Sequence, residues 1–157
     1  MIASQTLLDE LIGHARAEYD AECCGLIAYV SAGADEAKAG AEGAVRGVED
    51  ANWNRNETVA VAVHKAANVY ASRKRFEIDG KELSRAIDEF EDAGWELGAI
   101  YHSHTHTEPY PSQTDINFAA NWPGLEWVIV GLAGEEPEVR CYLIEDGQVR
   151  EVGLEVR

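Results

Sequence analysis

Positive charge is what this sequence has least of. Lysine and arginine together number 13 against 29 aspartates and glutamates, a formal net charge of −16 over 157 residues. Nucleic-acid binding needs basic contacts to phosphates, so no nucleic-acid partner is expected, and acidic lipid surfaces are disfavoured on the same ground. Two explanations of the acidity stand side by side. One is an ordinary solvated acidic surface. The other, towards which we lean, is a high-salt cytosol, where repulsion is screened over about 3 Å at 1 M salt.

Long apolar runs are missing too. No stretch approaches the roughly 20 apolar residues of a membrane span, so no membrane partner is expected. The opening MIASQTLLDELIGHARAEYD has neither the basic flank nor the unbroken apolar core of a secretory signal, which makes a cytoplasmic location the default expectation. Cysteines are few and odd in number: Cys23, Cys24 and Cys141. Neighbouring cysteines rarely bridge each other, so buried structural thiols are expected rather than a disulfide framework or a nucleophile. There is no internal repeat. Against these absences, a hydrophobic content of 46% excludes general disorder. The length suits one domain spanning residues 1–157, with a core that needs no disulfide or structural metal.

Periodicity outlines the elements. Leu7, Leu8, Leu11, Ile12 and Ala15 recur on one side of a helix over 6–19, with Ser4 or Thr6 as its cap. Residues 23–30 read as a buried strand. The stretch 31–47, SAGADEAKAGAEGAVRG, is small, polar and Gly/Ala-rich, and is expected to form a mobile loop. Strands are expected over 58–63 and 75–78, then a helix over 79–93 with Leu83, Ile87 and Phe90 at helical spacing and Gly94 as its stop. ELGAIYHSH, 96–104, reads as a strand with Ile100 on the histidine side and Ala99 and Tyr101 opposite. A loop broken by Pro109 and Pro111 leads to a short helix over 115–121. Strands over 125–131, 138–144 and 148–156 follow, the last two joined by a hairpin turn. This order specifies an α/β class with a mixed sheet rather than a regular βαβ array. Trp95, Trp122 and Trp127 sit at element ends and read as packing anchors; Trp53 could line a partner groove. His14 and His64 read as ordinary polar positions.

Three of the five histidines fall in YHSHTHTEPYPSQTD, residues 101–115. On an extended strand His102, His104 and His106 share one face. Two imidazoles two residues apart can reach one ion, and an Asp at the start of the next helix can supply a third ligand. Two nitrogens and a carboxylate favour zinc over calcium or magnesium, and leave iron and cobalt open. Ser112-x-x-Asp115 also resembles a capping box, and alternating His and Thr is an ordinary edge-strand pattern. Spacing alone leaves both readings open, and they are partly compatible.

The residues carry a resemblance. His102-x-His104, seven residues, Ser112, two residues, Asp115 resembles the H-x-H-x7-S-x2-D signature of JAMM (MPN-domain) zinc metallopeptidases. Glu22-Cys23-Cys24-Gly25-Leu26 is similar to the upstream Glu that this family places before Cys-Gly-Leu, and NVYASRKRFEIDGKEL is similar to its stretch before the central helix. Thr105 stands where the family commonly has Pro, as in the bacterial subgroup that trims sulfur-carrier proteins. The resemblance implies an MPN-type mixed sheet packed with helices. It also implies one zinc per chain on His102, His104 and Asp115, with water completing the site. Glu22 is then the general base and later acid, Ser112 an oxyanion donor, and His106 a bystander. The implied substrate is a small ubiquitin-like or sulfur-carrier protein, cut after its C-terminal glycine to release either a lysine or a cysteine. The rival within the family is a non-catalytic MPN scaffold, whose members typically lack motif residues. A zinc deaminase is a rival of related architecture, but its H-x-E and P-C-x-x-C pattern is absent.

Overall fold

The computed structural model describes residues 1–31 and 58–157; the 31–47 stretch beyond the backbone of Ser31, and Trp53, lie outside the described residues. In chain order the elements are β1 (Ile2–Ala3), α1 (Gln5–Ala17), β2 (Cys24–Ser31), β3 (Thr58–Ala66), α2 (Gly80–Asp92) and β4 (Glu96–His104). Then follow α3 (Gln113–Ala119), β5 (Glu126–Gly131), β6 (Glu138–Glu145), β7 (Gln148–Val152) and β8 (Glu155–Val156). Ser4 caps α1 by accepting the Leu7 amide at 3.1 Å, and Asp79 caps α2 through the amides of Lys81 and Glu82.

The strands form one mixed sheet in the order β7-β6-β5-β4-β2-β3-β1-β8. β4 and β5 are parallel, while β2 is antiparallel to both β3 and β4. The expected last strand is split: β7 pairs with β6, and only Gly153 and Leu154 separate it from β8, which pairs with β1 at the far end of the order. Two residues bridge the sheet's two ends only if the sheet curls strongly, and α1 lies against the face it curls over.

Each face has its own core. Leu7, Leu8, Leu11 and Ala15 of α1 meet Ile27, Tyr29, Ala99, Tyr101, Val128 and Val130 on one side. Ala86 and Phe90 of α2 and Ala119 of α3 meet Leu26, Ile100, Trp127 and Ile129 on the other. The alternation in β4 is the expected one. β5 is buried on both faces, which is why its sequence from Trp127 to Val130 is a continuous apolar run. Trp127 is fully buried, and Trp95 and Trp122 pack against the same core, in keeping with packing anchors. No helix among the described residues is long and apolar enough to cross a membrane.

The strand expected over 75–78 does not form. Its polar–apolar alternation is strand-like, but its backbone is engaged elsewhere. The Asn68 amide donates to the Arg75 carbonyl at 3.1 Å, its side-chain oxygen accepts from the Glu77 amide at 3.2 Å, and Val69 N–H donates to the Glu77 carbonyl at 2.9 Å. One asparagine has thereby replaced a ladder.

At Gly25 the sheet admits no side chain. An added Cβ would overlap the Tyr101 ring and the carbonyl of His64. Tyr101 is itself fixed by a 2.7 Å bond to His14 Nδ1, so His14 is a partner rather than an idle polar position. Gly25→Ala is expected to lower stability by about 1–3 kcal/mol, as overpacking does, read as a shifted denaturant midpoint with an unchanged slope.

Candidate metal centre

Parallel neighbours need a crossover, and α3 is the crossover between β4 and β5. It packs through Ala119 and Ile116 onto the sheet face of Ile100 and Trp127. His102 and His104 follow Ile100 at even spacing and point to that same face, so the first turn of α3 arrives beside them. Asp115 is in that turn.

Ligating atoms of His102, His104 and Asp115 all lie within 4.8 Å of one another, and all three residues are buried. The two Nε2 atoms are 3.1 Å apart; Asp115 Oδ1 is 3.3 Å from that of His102 and Oδ2 is 3.6 Å from that of His104. Tetrahedral zinc with bonds of 2.0–2.1 Å would space its ligand atoms by about 3.3 Å. The donor set and its spacing therefore fit such an ion. His104 Nδ1 donates to the Glu108 carbonyl at 2.8 Å, which leaves its Nε2 lone pair facing the cluster.

Asp115 also closes a capping box. Its Oδ2 accepts from the Ser112 amide and from Ser112 Oγ, both at 2.7 Å, while Ser112 Oγ accepts the Asp115 amide at 3.2 Å. Oδ1 remains to face His102. Burial alone would push the Asp115 carboxyl up, but His102, His104 and Ser112 outweigh it and hold the group well below the usual carboxylate range. Burial likewise opposes a proton on His104, yet Asp115 and the Glu108 carbonyl overcome it and raise that imidazole above its ordinary value.

Glu22 precedes β2, which runs beside β4 with Cys24 opposite His102. Its carboxyl is pushed up by burial, pulled back by His102 and His104, and raised further by Asp115. Those couplings bring Glu22 into the cluster's field without making it a member of the three-residue group. Its peptide is pinned on both sides: Glu22 N–H donates to the Ser72 carbonyl at 2.8 Å and its own carbonyl accepts from Asn68 at 3.0 Å. The next residue is tied to β4. Cys23 N–H donates to Ser103 Oγ at 2.8 Å, and Ser103 N–H returns to the Cys23 carbonyl at 3.1 Å. Sequence reasoning passed over both Asn68 and Ser103; the central Ser of His-Ser-His was the available signal.

His106 stands apart. It is half exposed and pairs with Asp20 at 2.7 Å, outside the cluster. His64 contacts Glu82 at 3.3 Å on the surface of the sheet. All three cysteines are free and buried, and burial pushes the thiols of Cys23 and Cys24 up to about 11 and about 12, against a nucleophile's role.

Residues 4–145 match the family described as prokaryotic homologs of the JAB domain. The chain belongs to that family. Among its prokaryotic JAB relatives is the CysO-cysteine peptidase of Mycobacterium tuberculosis strain H37Rv, 28% identical over 99% of this chain and 90% of the relative. A desampylase of Pyrococcus furiosus is 31% identical over 64% of this chain and 69% of its own length. The prokaryotic JAB fold is shared with a JAB1/MPN domain protein from Archaeoglobus fulgidus, at a TM-score of 0.56 and 19% identity over 99% of this chain and 98% of that one.

Proposed function

We propose that the chain is a zinc-dependent hydrolase that cuts the amide bond after the C-terminal glycine of a small ubiquitin-like or sulfur-carrier protein. The observation that carries this reading is the buried convergence of His102, His104 and Asp115 within 4.8 Å, with the Glu22 carboxyl in their field. His102, His104 and Asp115 would hold one zinc ion per chain. When bound, the metal supplies a Lewis acid that polarises a carbonyl and brings the pKa of water to about 7. Glu22, raised by burial, accepts the proton from the attacking water and returns it to the leaving amine. Ser112 Oγ donates its hydrogen bond to Asp115 Oδ2 in the capping box, so stabilising an oxyanion requires that hydroxyl to rotate. The whole chain, 1–157, acts as one domain in the cytoplasm on this reading.

The near full-length likeness to a CysO-cysteine peptidase supports release of a C-terminal cysteine as the first activity. A desampylase relative supports deconjugation as the second. The test offers two purified β-grasp carriers, one ending Gly-Gly-Cys and one linked to a lysine, in low and in molar salt, with products read by mass. Cleavage after the glycine of either is the expected result. Cleavage of neither by zinc-loaded protein rejects the assignment and leaves the scaffold reading. Proton competition gives a further expectation. Because His104 holds its proton to higher pH than an imidazole of ordinary pKa near 6.5, zinc affinity begins to fall at higher pH than such a ligand would dictate. Chelator competition between about pH 5.5 and 8 checks this.

A further inference from the structure

The two histidines of the cluster are held in different ways. His104 has the outer hydrogen bond that fixes ring plane and tautomer in most metal-binding histidines, through Nδ1 to the Glu108 carbonyl. His102 has no counterpart: its Nδ1 is buried and without a hydrogen-bond partner among the described residues. Rotation about the imidazole's χ2 is soft, so some other contact must choose the ring plane. Apart from the Nε2 contacts inside the cluster, the contacts on this ring are aromatic. Phe76 stacks on His102 with centroids 4.6 Å apart and planes 23° from parallel, while Trp127 meets the same ring edge-on at 6.5 Å.

Phe76 is fixed from both sides. Asn68 binds the carbonyl of Arg75 and the amide of Glu77, the residues flanking it, and the same asparagine binds the Glu22 carbonyl. Phe118 then meets the Phe76 ring edge-on at 6.2 Å. The segment that failed to become a strand thus presents one aromatic ring to one ligand.

We propose that Phe76 is the positioning residue of His102: its clamped ring sets the imidazole plane and aims Nε2 into the cluster, in place of an outer hydrogen bond. The inference rests on the reading of His102, His104 and Asp115 as a zinc site. Losing an outer partner typically costs 10–100-fold in metal affinity, and a comparable dependence on Phe76 follows.

The test measures zinc affinity by competition with a chromophoric chelator, together with the thermal midpoint of the metal-free protein. Phe76→Leu keeps apolar bulk but removes the ring, and Phe76→Tyr keeps the ring. The expected result is a loss of about tenfold or more in zinc affinity for Phe76→Leu, with Phe76→Tyr within about twofold of wild type. The cobalt-substituted Phe76→Leu protein should show an altered visible spectrum, a change that a general loss of packing would not bring. Equal affinity for wild type and Phe76→Leu overturns the inference, as does a Phe76→Tyr protein as weak as Phe76→Leu. Should Phe76→Leu fail to fold, the unmodified protein still decides. The carbon-bound ring protons of His102 should be shifted upfield by the Phe76 ring current, and unshifted protons overturn the proposal. Wild-type protein that binds no zinc takes down the metal-site reading together with this inference. Zinc-binding wild type beside an indifferent Phe76→Leu takes down this inference alone.

Discussion

Glu22→Gln is expected to lose turnover by about 10²–10⁴-fold while keeping its zinc. The amide fills the same space as the carboxyl but cannot accept a proton, so the change isolates proton transfer from packing. Glu22 is buried, its peptide is pinned by Ser72 and Asn68, and it feels His102 and His104 without belonging to the three-residue group. The backbone of Glu22 is thus held at two points, while its carboxyl stands in the field of the two histidines. The measurement pairs metal content with the cleavage rate of a carrier protein. A variant that loses its zinc would instead make Glu22 a ligand, and one that keeps full activity would remove it from the chemistry.

Asp115→Ala is expected to do two things at once. It removes one of the three side chains that would hold the metal, and it takes from Ser112 the acceptor of both its amide and its hydroxyl. Zinc binding should be lost at concentrations that saturate the wild type. The metal-free protein should also lose about 0.5–2 kcal/mol, the usual cost of a broken helix cap. Two companions separate these effects. Ser112→Ala should lose a similar stability and retain zinc. Asp115→Asn can still accept from Ser112 and should keep most of the stability while losing the metal. Calorimetry and elemental analysis on the same preparations read both quantities.

That double role explains what spacing left undecided. Capping box and metal ligand are compatible readings because Asp115 has two oxygens: Oδ2 accepts from Ser112 and also stands 3.6 Å from His104, while Oδ1 is left to face His102 at 3.3 Å. The histidine pair was legible because a strand's period of two is local, and Ile100 already marked the buried face. Glu22 was not legible from its own surroundings among 29 acidic residues; only the family resemblance singled it out. Its neighbours arrive through strand pairing across some eighty residues, which no local pattern encodes. Ser103 and Asn68 escaped for the same reason, since their partners lie far along the chain or in backbone atoms that carry no sequence signal. Phe76 was misread outright. Arg-Phe-Glu-Ile alternates like a strand, and nothing in those four residues reveals that Asn68 has claimed the flanking peptide groups.

The central claim is that one zinc, held by His102, His104 and Asp115, enables hydrolysis. Its most direct test strips the protein with a chelator, adds zinc back stepwise and follows cleavage of a carrier ending Gly-Gly-Cys and of one linked to a lysine. The account predicts no cleavage when stripped, and recovery that is linear and levels off at about one zinc per chain, the capacity of a single three-ligand site with an open position. Cleavage that persists in the stripped protein, or zinc that binds at one per chain without restoring cleavage of either carrier, would contradict it.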